Sequence, residues 1–294
     1  WKAGRNGLLQ DLMGAGQIAG IVDSGLDNKS TSPTIGDFYD FTGGSATSRV
    51  VYNQNGAGCR RVLCPCTSAD TDGHGTHTAG SIVGNGYNSL AQRGLAGFAA
   101  AADPAFDYAW GVGQAPEARI AVIHAGGTGG GICVSASTDW VTLYNQGART
   151  ASNSWGNSTY SYGGNAATAD NVMWVRQDHL IVVAAGNTGP VSGGAISQPA
   201  NAKNILSVGA ANNHRPALGW YADTAGTLAY FSARGPVATS GDTRFKPDIV
   251  AAGANVLSTR TNQVEATADV GWGNEAGIDG GDGDGDNDGR PDYA

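Results

Sequence analysis

No run in this 294-residue sequence approaches the ~20 continuous apolar positions that a bilayer-spanning helix needs, so a membrane span is excluded. Glycine is plentiful at 47 residues, yet no Gly-X-Y period accompanies it, which excludes a collagen-like chain. Those glycines must instead serve turns and close backbone approaches. No unit repeats at the spacing of a solenoid. Basic residues are few, 17 against 25 acids, so a nucleic-acid binder with a basic stripe is excluded as well. The excess acid is localised: residues 1–260 hold 16 bases and 16 acids, whereas residues 261–294 hold nine acids and Arg290 alone. Cysteines number four, Cys59, Cys64, Cys66 and Cys133, without the paired C-x2-C of zinc sites. Two disulfides are therefore favoured over free thiols or a metal, in any of three connectivities, and bridges suit an exported protein. The chain opens on Trp1 with neither initiator Met nor signal peptide, which sets the expectation that processing or cutting removed an N-terminal segment.

What is present is one large domain's worth of chain, 40% apolar and able to bury a core. Short apolar, β-branched runs bounded by Gly, Asn or Asp predict strands over Gln17–Gly25, Ala118–Ala125, Ala148–Trp155, Leu180–Ala185, Ile205–Ala211 and Asp248–Ala252. Continuous rather than alternating runs suit strands covered on both faces. Helical patterns fall between several of them, at Gly75–Val83, Val134–Gln146 and Ala166–Gln177. That alternation predicts an α/β fold with a mainly parallel sheet, and functional loops at the strands' carboxyl ends. Gly86–Gln114, rich in Ala and Gly, reads as a surface excursion. The sequence after Thr261 loses periodicity and turns to Gly and Asp.

The strand ends carry the polar residues of interest. Asp23 closes the first run in Ile21-Val22-Asp23-Ser24-Gly25, where an acid is held rigidly, although such an acid alone equally suits a turn. Asp72-Gly73-His74-Gly75-Thr76-His77-Thr78-Ala79-Gly80 opens a helix on a histidine. A zinc reading of His74 and His77 fails for want of the H-E-x-x-H glutamate. Asn187 follows the buried run Val182–Ala185 and offers two amide donors. Two side-chain-poor stretches, Gly126–Gly131 and Ser154-Trp155-Gly156, are suited to pairing with an extended peptide through their backbones. A flexible loop is the other reading of the glycine run.

Together these motifs resemble the subtilisin-like serine proteases, the subtilases: Val-Asp-Ser-Gly at Asp23, His-Gly-Thr-His-Thr-Ala-Gly at His74 and Ala-Ala-Gly-Asn at Asn187, in the family's order. Phe231-Ser232-Ala233-Arg234-Gly235-Pro236 and Lys246-Pro247-Asp248-Ile249-Val250-Ala251-Ala252-Gly253 extend the likeness. The stretch from Ala195 to Ala210 and the Arg215–Asp223 segment are most similar to the oxidatively stable, KP-43-like alkaline protease branch. The resemblance implies a three-layer sandwich around the parallel sheet, and an endopeptidase working through an Asp/His/Ser triad. Asp23 would orient His74, which would take the proton from a serine hydroxyl, while Asn187 would donate to the oxyanion. Gly127, Gly129, Ser154, Trp155 and Gly156 would line an extended substrate, with Ala185 and Gly186 (after Ala184) walling the primary specificity pocket. Gln198–Pro199 sits where the family often carries a cis peptide, and both isomers stay open.

The family's serine sits in a Gly-Thr-Ser-Met-Ala helix start, and no Gly-Thr-Ser occurs in this sequence, nor a Gly-x-Ser-x-Gly elbow. The expectation is a peptidase domain over residues 1–260, with a surface insertion near 86–114. It would be truncated before the serine helix and inactive alone, with the serine just beyond residue 294. Residues 261–294 form an acidic insertion. There Asp284, Asp286, Asp288 and Asp292 stand at positions 1, 3, 5 and 9 of an EF-hand-like loop, with Gly289 at the turn, which makes calcium the expected structural cofactor. A solvated acidic linker is the plainer reading of that tail. The expected protein is a secreted monomer acting on polypeptides, with no nucleic acid, no membrane and no organic cofactor. Its rivals are a non-catalytic peptide-binding protein of the same fold and a calcium-binding structural module.

Overall fold

The computed structural model describes residues 12–41, 45–60, 62–87, 111–128, 131–190, 196–213, 226–237, 244–254, 256 and 258–263. The chain divides into two compact units: Trp1–Asn55 with Cys59–Cys133 and Leu257–Ala294, and Gly56–Gly58 with Val134–Val256.

In the first unit the apolar run before Asp23 forms β1 (Ile18–Asp23), buried from Ala19 onward. A 3-10 turn (Gly36–Phe38) leads to the short antiparallel pair β2 (Tyr39–Asp40) and β3 (Thr47–Ser48), and then to β4 (Val50–Asn55). Helix α1 (His74–Val83) follows, then β5 (Arg119–His124) and a second small antiparallel pair, β6 (Gly126–Gly127) with β7 (Gly131–Ile132). β5 lies between β1 and β4, parallel to both, with Asp23 opposite His124 in the register. Helix α1 lays Ala79 and Val83 into a cluster with Ala19, Ile21, Ile120 and Val122. The alternate residues Val22, Ala121 and Ile123 are equally buried, so both faces of this sheet are covered. The far end of α1 is tied by the buried Arg49, whose guanidinium donates to the carbonyls of Val83, Asp37 and Ala118 at 2.6–2.7 Å. Those bonds take up one of the helix's four orphan C-terminal carbonyls.

The second unit runs α2 (Ala136–Asn145), β8 (Thr150–Asn153), α3 (Gly164–Val175), β9 (Leu180–Ala184), β10 (Leu206–Ala211) and β11 (Ile249–Ala252). Its four strands pair in parallel in the order β8-β9-β10-β11. Ile181 and Val183 of β9 are sealed, whereas the intervening Leu180 and Val182 are half-buried and Ala184 is exposed. All four residues of β11 are exposed too, so that strand is thinly covered on both faces.

The fold is α/β with mainly parallel strands, as the alternation of runs predicts, and every strand expected from the sequence forms. β4 escapes that reading because its sequence, Val-Val-Tyr-Asn-Gln-Asn, turns polar halfway. It forms by pairing with β5 through a register irregularity between Val50 and Tyr52. α3 starts at Gly164, two residues before its expected start, where Gly and Asn give no start signal. Of the expected acidic stretch from residue 261, Thr261–Gln263 are described. Thr261 is buried, and Gln263 Nε2 donates to Asp27 at 3.2 Å, so these residues belong to the first unit's packing. The Gln198–Pro199 peptide is cis. Of the expected excursion, Gly86, Tyr87 and Gly111–Gln114 are described, and the remainder lies outside the described residues.

The cysteines resolve into Cys59–Cys66 and Cys64–Cys133, with Cα separations of 5.4 and 5.8 Å. Their sequence separations are 7 and 69. By loop-closure entropy the longer bridge restrains the unfolded chain by about 4 kcal/mol and the shorter by roughly 2.5 kcal/mol. Replacing Cys64 and Cys133 together by serine is expected to cost more stability than replacing Cys59 and Cys66, by a margin readable in urea denaturation midpoints.

Candidate active site

The carboxyl end of β1 delivers Asp23, Ser24 and Gly25 as a buried turn, and the amino end of α1 brings His74 to it. His74 Nδ1 stands 2.5 Å from Asp23 Oδ1, and Ser24 N donates to the same oxygen at 2.7 Å. Asp23 is almost wholly buried, while the histidine side chain keeps 23% of its surface exposed. With Nδ1–H donating to the carboxylate, the neutral ring keeps its proton-accepting lone pair on Nε2. Burial pulls the His74 pKa down, but the hydrogen bond it donates to Asp23 and the charges of Asp23, Asp72 and Asp70 outweigh it, so the ring titrates above its ordinary range.

Two residues that sequence reasoning missed hold this pair together. Asp70, wholly buried, accepts from Ser24 Oγ at 2.8 Å and Gly73 N at 3.0 Å through one oxygen. Its other oxygen accepts from Thr76 N at 2.8 Å and Thr76 Oγ1 at 2.5 Å. Ser24 Oγ in turn accepts from Gly75 N at 2.7 Å, and Asp72 Oδ1 from His74 N at 3.3 Å. The first amides of α1, which have no partner within the helix, are thereby all satisfied, and a carboxylate sits at the positive end of the helix dipole. The residues flanking Asp23 and His74 thus share one hydrogen-bond network. The available signal was the acid just ahead of the helix start, where a carboxylate favours the positive end of the dipole.

The other expected residues are placed as follows. Gly127 of β6 pairs with β7 on one side and bridges Cys66 on the other, with Thr67 N donating to Gly126 O and Thr128 N to Pro65 O, both at 2.9 Å. Gly127 is therefore paired on both sides by the chain itself. The disulfide-bonded loop makes the second pairing, and cysteine spacing alone does not reveal it. Gly129 lies outside the described residues. In the second unit, Trp155 stacks on Trp140, with ring centroids 6.1 Å apart, and Ser154-Trp155-Gly156 continues beyond β8. Trp155 and Gly156 make no backbone hydrogen bond among the described residues. Ala185 is buried beyond β9 and donates to Val208 O, and the Gly186 carbonyl accepts from Ala233 N. Asn187 stands exposed in the turn that follows. Asp284, Asp286, Asp288 and Asp292 all lie outside the described residues. Among the described residues no group of three or more His, Cys, Asp or Glu could hold a metal ion, and no helix is long and apolar enough to cross a membrane.

Comparison with known proteins bears on this site. The family model for the subtilase family (Peptidase S8) matches residues 14–280. The serine protease AprX of Bacillus subtilis is 29% identical over 205 residues, covering 65% of this chain and 40% of that protein. The serine protease/ABC transporter B family protein tagD of Dictyostelium discoideum is 30% identical over 210 residues, 68% of this chain and 10% of its own length. The chain therefore spans less than half of either relative. Among solved structures, the CspB protease of Clostridium perfringens aligns with a TM-score of 0.55 at 15% identity, over 86% of this chain and 79% of that one. The psychrophilic subtilisin-like protease Apa1 of Pseudoalteromonas sp. AS-11 aligns at 0.50 and 20%, over 83% and 43%. At these identities the structural likeness speaks for the fold.

Asp23→Asn is expected to lower the His74 pKa, followed by NMR titration of the imidazole. Because the partnered ring is favoured in its charged form, that contribution is full below about pH 6.5 and disappears as pH rises through the folded value. The stability loss in Asp23→Asn is therefore larger at pH 5 than at pH 9. Asp70→Ala leaves Gly73 N and Thr76 N without their acceptor and is expected to cost roughly 2–4 kcal/mol in denaturant unfolding.

Proposed function

From the premise that the chain belongs to the subtilase family, we propose that it forms the greater part of the peptidase domain of a secreted serine endopeptidase. The observation that carries this reading is the 2.5 Å contact between His74 Nδ1 and the buried Asp23 carboxylate, made at the adjoining ends of a strand and a helix. In the proposed reaction His74 Nε2 takes the proton from a serine hydroxyl as it attacks the scissile carbonyl. Asp23 holds the tautomer and stabilises the imidazolium, and His74 then returns the proton to the leaving amine. Asn187, exposed at the end of β9, is the proposed oxyanion donor. The unpaired backbone of Trp155–Gly156 is the proposed strand for an extended polypeptide, and Ala185 and Gly186 border the pocket of its leading side chain.

The nucleophile is proposed to lie beyond residue 294, because no Gly-Thr-Ser occurs within the sequence. The thin cover over Leu180, Val182, Ala184 and β11 supports that reading, since a helix begun by the serine has an apolar face to bury there. Two disulfides support an oxidising, extracellular destination. The finer assignment to the KP-43-like branch rests on the segments around residues 195–223. Calcium is proposed as a structural ion of the 284–292 stretch, whose four carboxylates suit a hard cation.

Two preparations test the reading: this chain, and the same chain continued through the next Gly-Thr-Ser. A fluorophosphonate probe is expected to label the longer protein at one serine and to leave residues 1–294 unlabelled. His74→Ala in the longer protein is expected to lower peptide turnover by about 10³-fold or more. Stoichiometric labelling within residues 1–294, or turnover surviving in His74→Ala, would overturn it.

A further inference from the structure

His124 ends β5 directly across the register from Asp23, is wholly buried, and has no part in the proposed reaction. A Cβ placed on Gly25 would overlap the His124 ring, its Nδ1 first and then Cε1 at 2.7 Å. A Cβ placed on Gly75 would overlap the backbone of Gly25 from the α1 side, its carbonyl oxygen first and then its nitrogen at 2.6 Å. The order is therefore imidazole, Gly25 peptide, Gly75, in contact throughout. Asp23 and His74 stand two and one residues from those glycines.

The ring's own state follows from its contacts. His124 Nε2 lies 2.9 Å from Thr67 Oγ1, and that hydroxyl donates its single proton to Ala69 O at 2.7 Å. The ring must therefore donate from Nε2–H, leaving Nδ1 bare toward Gly25, where it has no hydrogen-bond partner among the described residues. The neighbouring groups oppose a second proton. Lys29, which follows the β1 turn and whose Nζ bonds Asn55 Oδ1 at 3.1 Å and Thr67 O at 3.3 Å, faces the ring with positive charge. From the Thr67–Asp70 segment the Asp70 charge and, more weakly, a backbone hydrogen bond with Thr67 favour the proton, and β4 contributes the uncharged Asn55. Burial first, and Lys29 second, push the His124 pKa down to about 4 against the pull of Asp70.

We infer that His124 is a positioning residue for the Asp23–His74 pair, a neutral imidazole wedged beneath Gly25 that sets how closely the His74 helix start can approach the end of the Asp23 strand. The inference rests on the reading of Asp23 and His74 as a working acid–imidazole pair. Neutrality is part of the role, because a cation on the strand position beside Asp23 would compete with the His74 imidazolium for its charge. Thr67 anchors the wedge, and the same segment continues into Asp70, so both supports of the pair descend from one short loop.

The test uses the 294-residue chain with 15N- and 13C-labelled histidine. In the unmodified chain the His124 nitrogens are expected to report the neutral Nε2–H tautomer at pH 7, and His74 to show a far-downfield Nδ1–H proton and a pKa above about 6.5. In His124→Ala that proton is expected to broaden or vanish and the His74 pKa to fall back toward about 6.5. His124→Gln, whose amide can still donate to Thr67, is expected to restore much of both. Thr67→Val removes the acceptor with little change of shape and is expected to give an intermediate shift. It serves as the deciding variant if His124→Ala does not show the near-ultraviolet circular dichroism of the parent. A charged or Nδ1–H His124 at pH 7 would overturn the inference. So would an unmoved His74 titration in folded His124→Ala or, failing that, in Thr67→Val. An unmodified chain in which His74 titrates ordinarily and shows no downfield proton would instead defeat the reading of the pair itself.

Discussion

The rest of the first unit's polar architecture depends on one carboxylate. Asp70 is buried with no salt bridge among the described residues, and its two oxygens accept four hydrogen bonds, three of them from the opening turn of α1 and its glycine cap. An unpaired carboxylate would be expelled from such a place or would take up a proton. Here the orphan amides of a helix start supply what a cation otherwise would. Through Ser24 the same group reaches the strand that carries Asp23, which adds to the direct bonds of Gly75 N to Ser24 and of His74 to Asp23. The opposite end of α1 is fastened by Arg49 to three carbonyls.

Much of the fold was legible because parallel strands covered on both faces need continuous apolar runs, and Ile18–Val22 and Ile120–Ile123 leave no other way to be buried. β4 was not legible, since half its residues are polar and it forms only because β5 offers an edge. Asp23 and His74 could be named from their motifs, and they do meet. Ser24 and Asp70 were hidden in turn-like sequence, because an acid in Ser68-Ala69-Asp70-Thr71-Asp72 looks like one more loop residue until its four donors are located. His124 was less visible still: a lone histidine closing an apolar strand carries no pattern, and only the two glycines stacked against it reveal a role. The pairing at Gly127 was hidden as well, because it is made with Cys66, some sixty residues earlier in the chain, in the loop that the disulfides tie down.

The two units differ in how their sheets are finished. In the first, alternate residues of β1 and β5 are buried on both sides, and the close contacts are polar and specific. In the second, the sheet thins toward β11, where Ile249 and Val250 keep nearly half of their surface in solvent. The better-closed unit is the one that holds the acid–imidazole pair, which is where geometric precision is most demanding.

The segment leaving α1 departs and returns at nearly the same point. Asn85 N bonds Asp37 O, Gly113 N bonds Gly84 O, and Gln114 N and Ala115 N bond carbonyls of the last turn of the helix, at Ser81 and Ile82. With its two described stems clasped side by side on the last turn of α1, this stretch is anchored at the end of the helix opposite His74, so the bonds that hold it and the bonds that seat the imidazole lie about three turns apart.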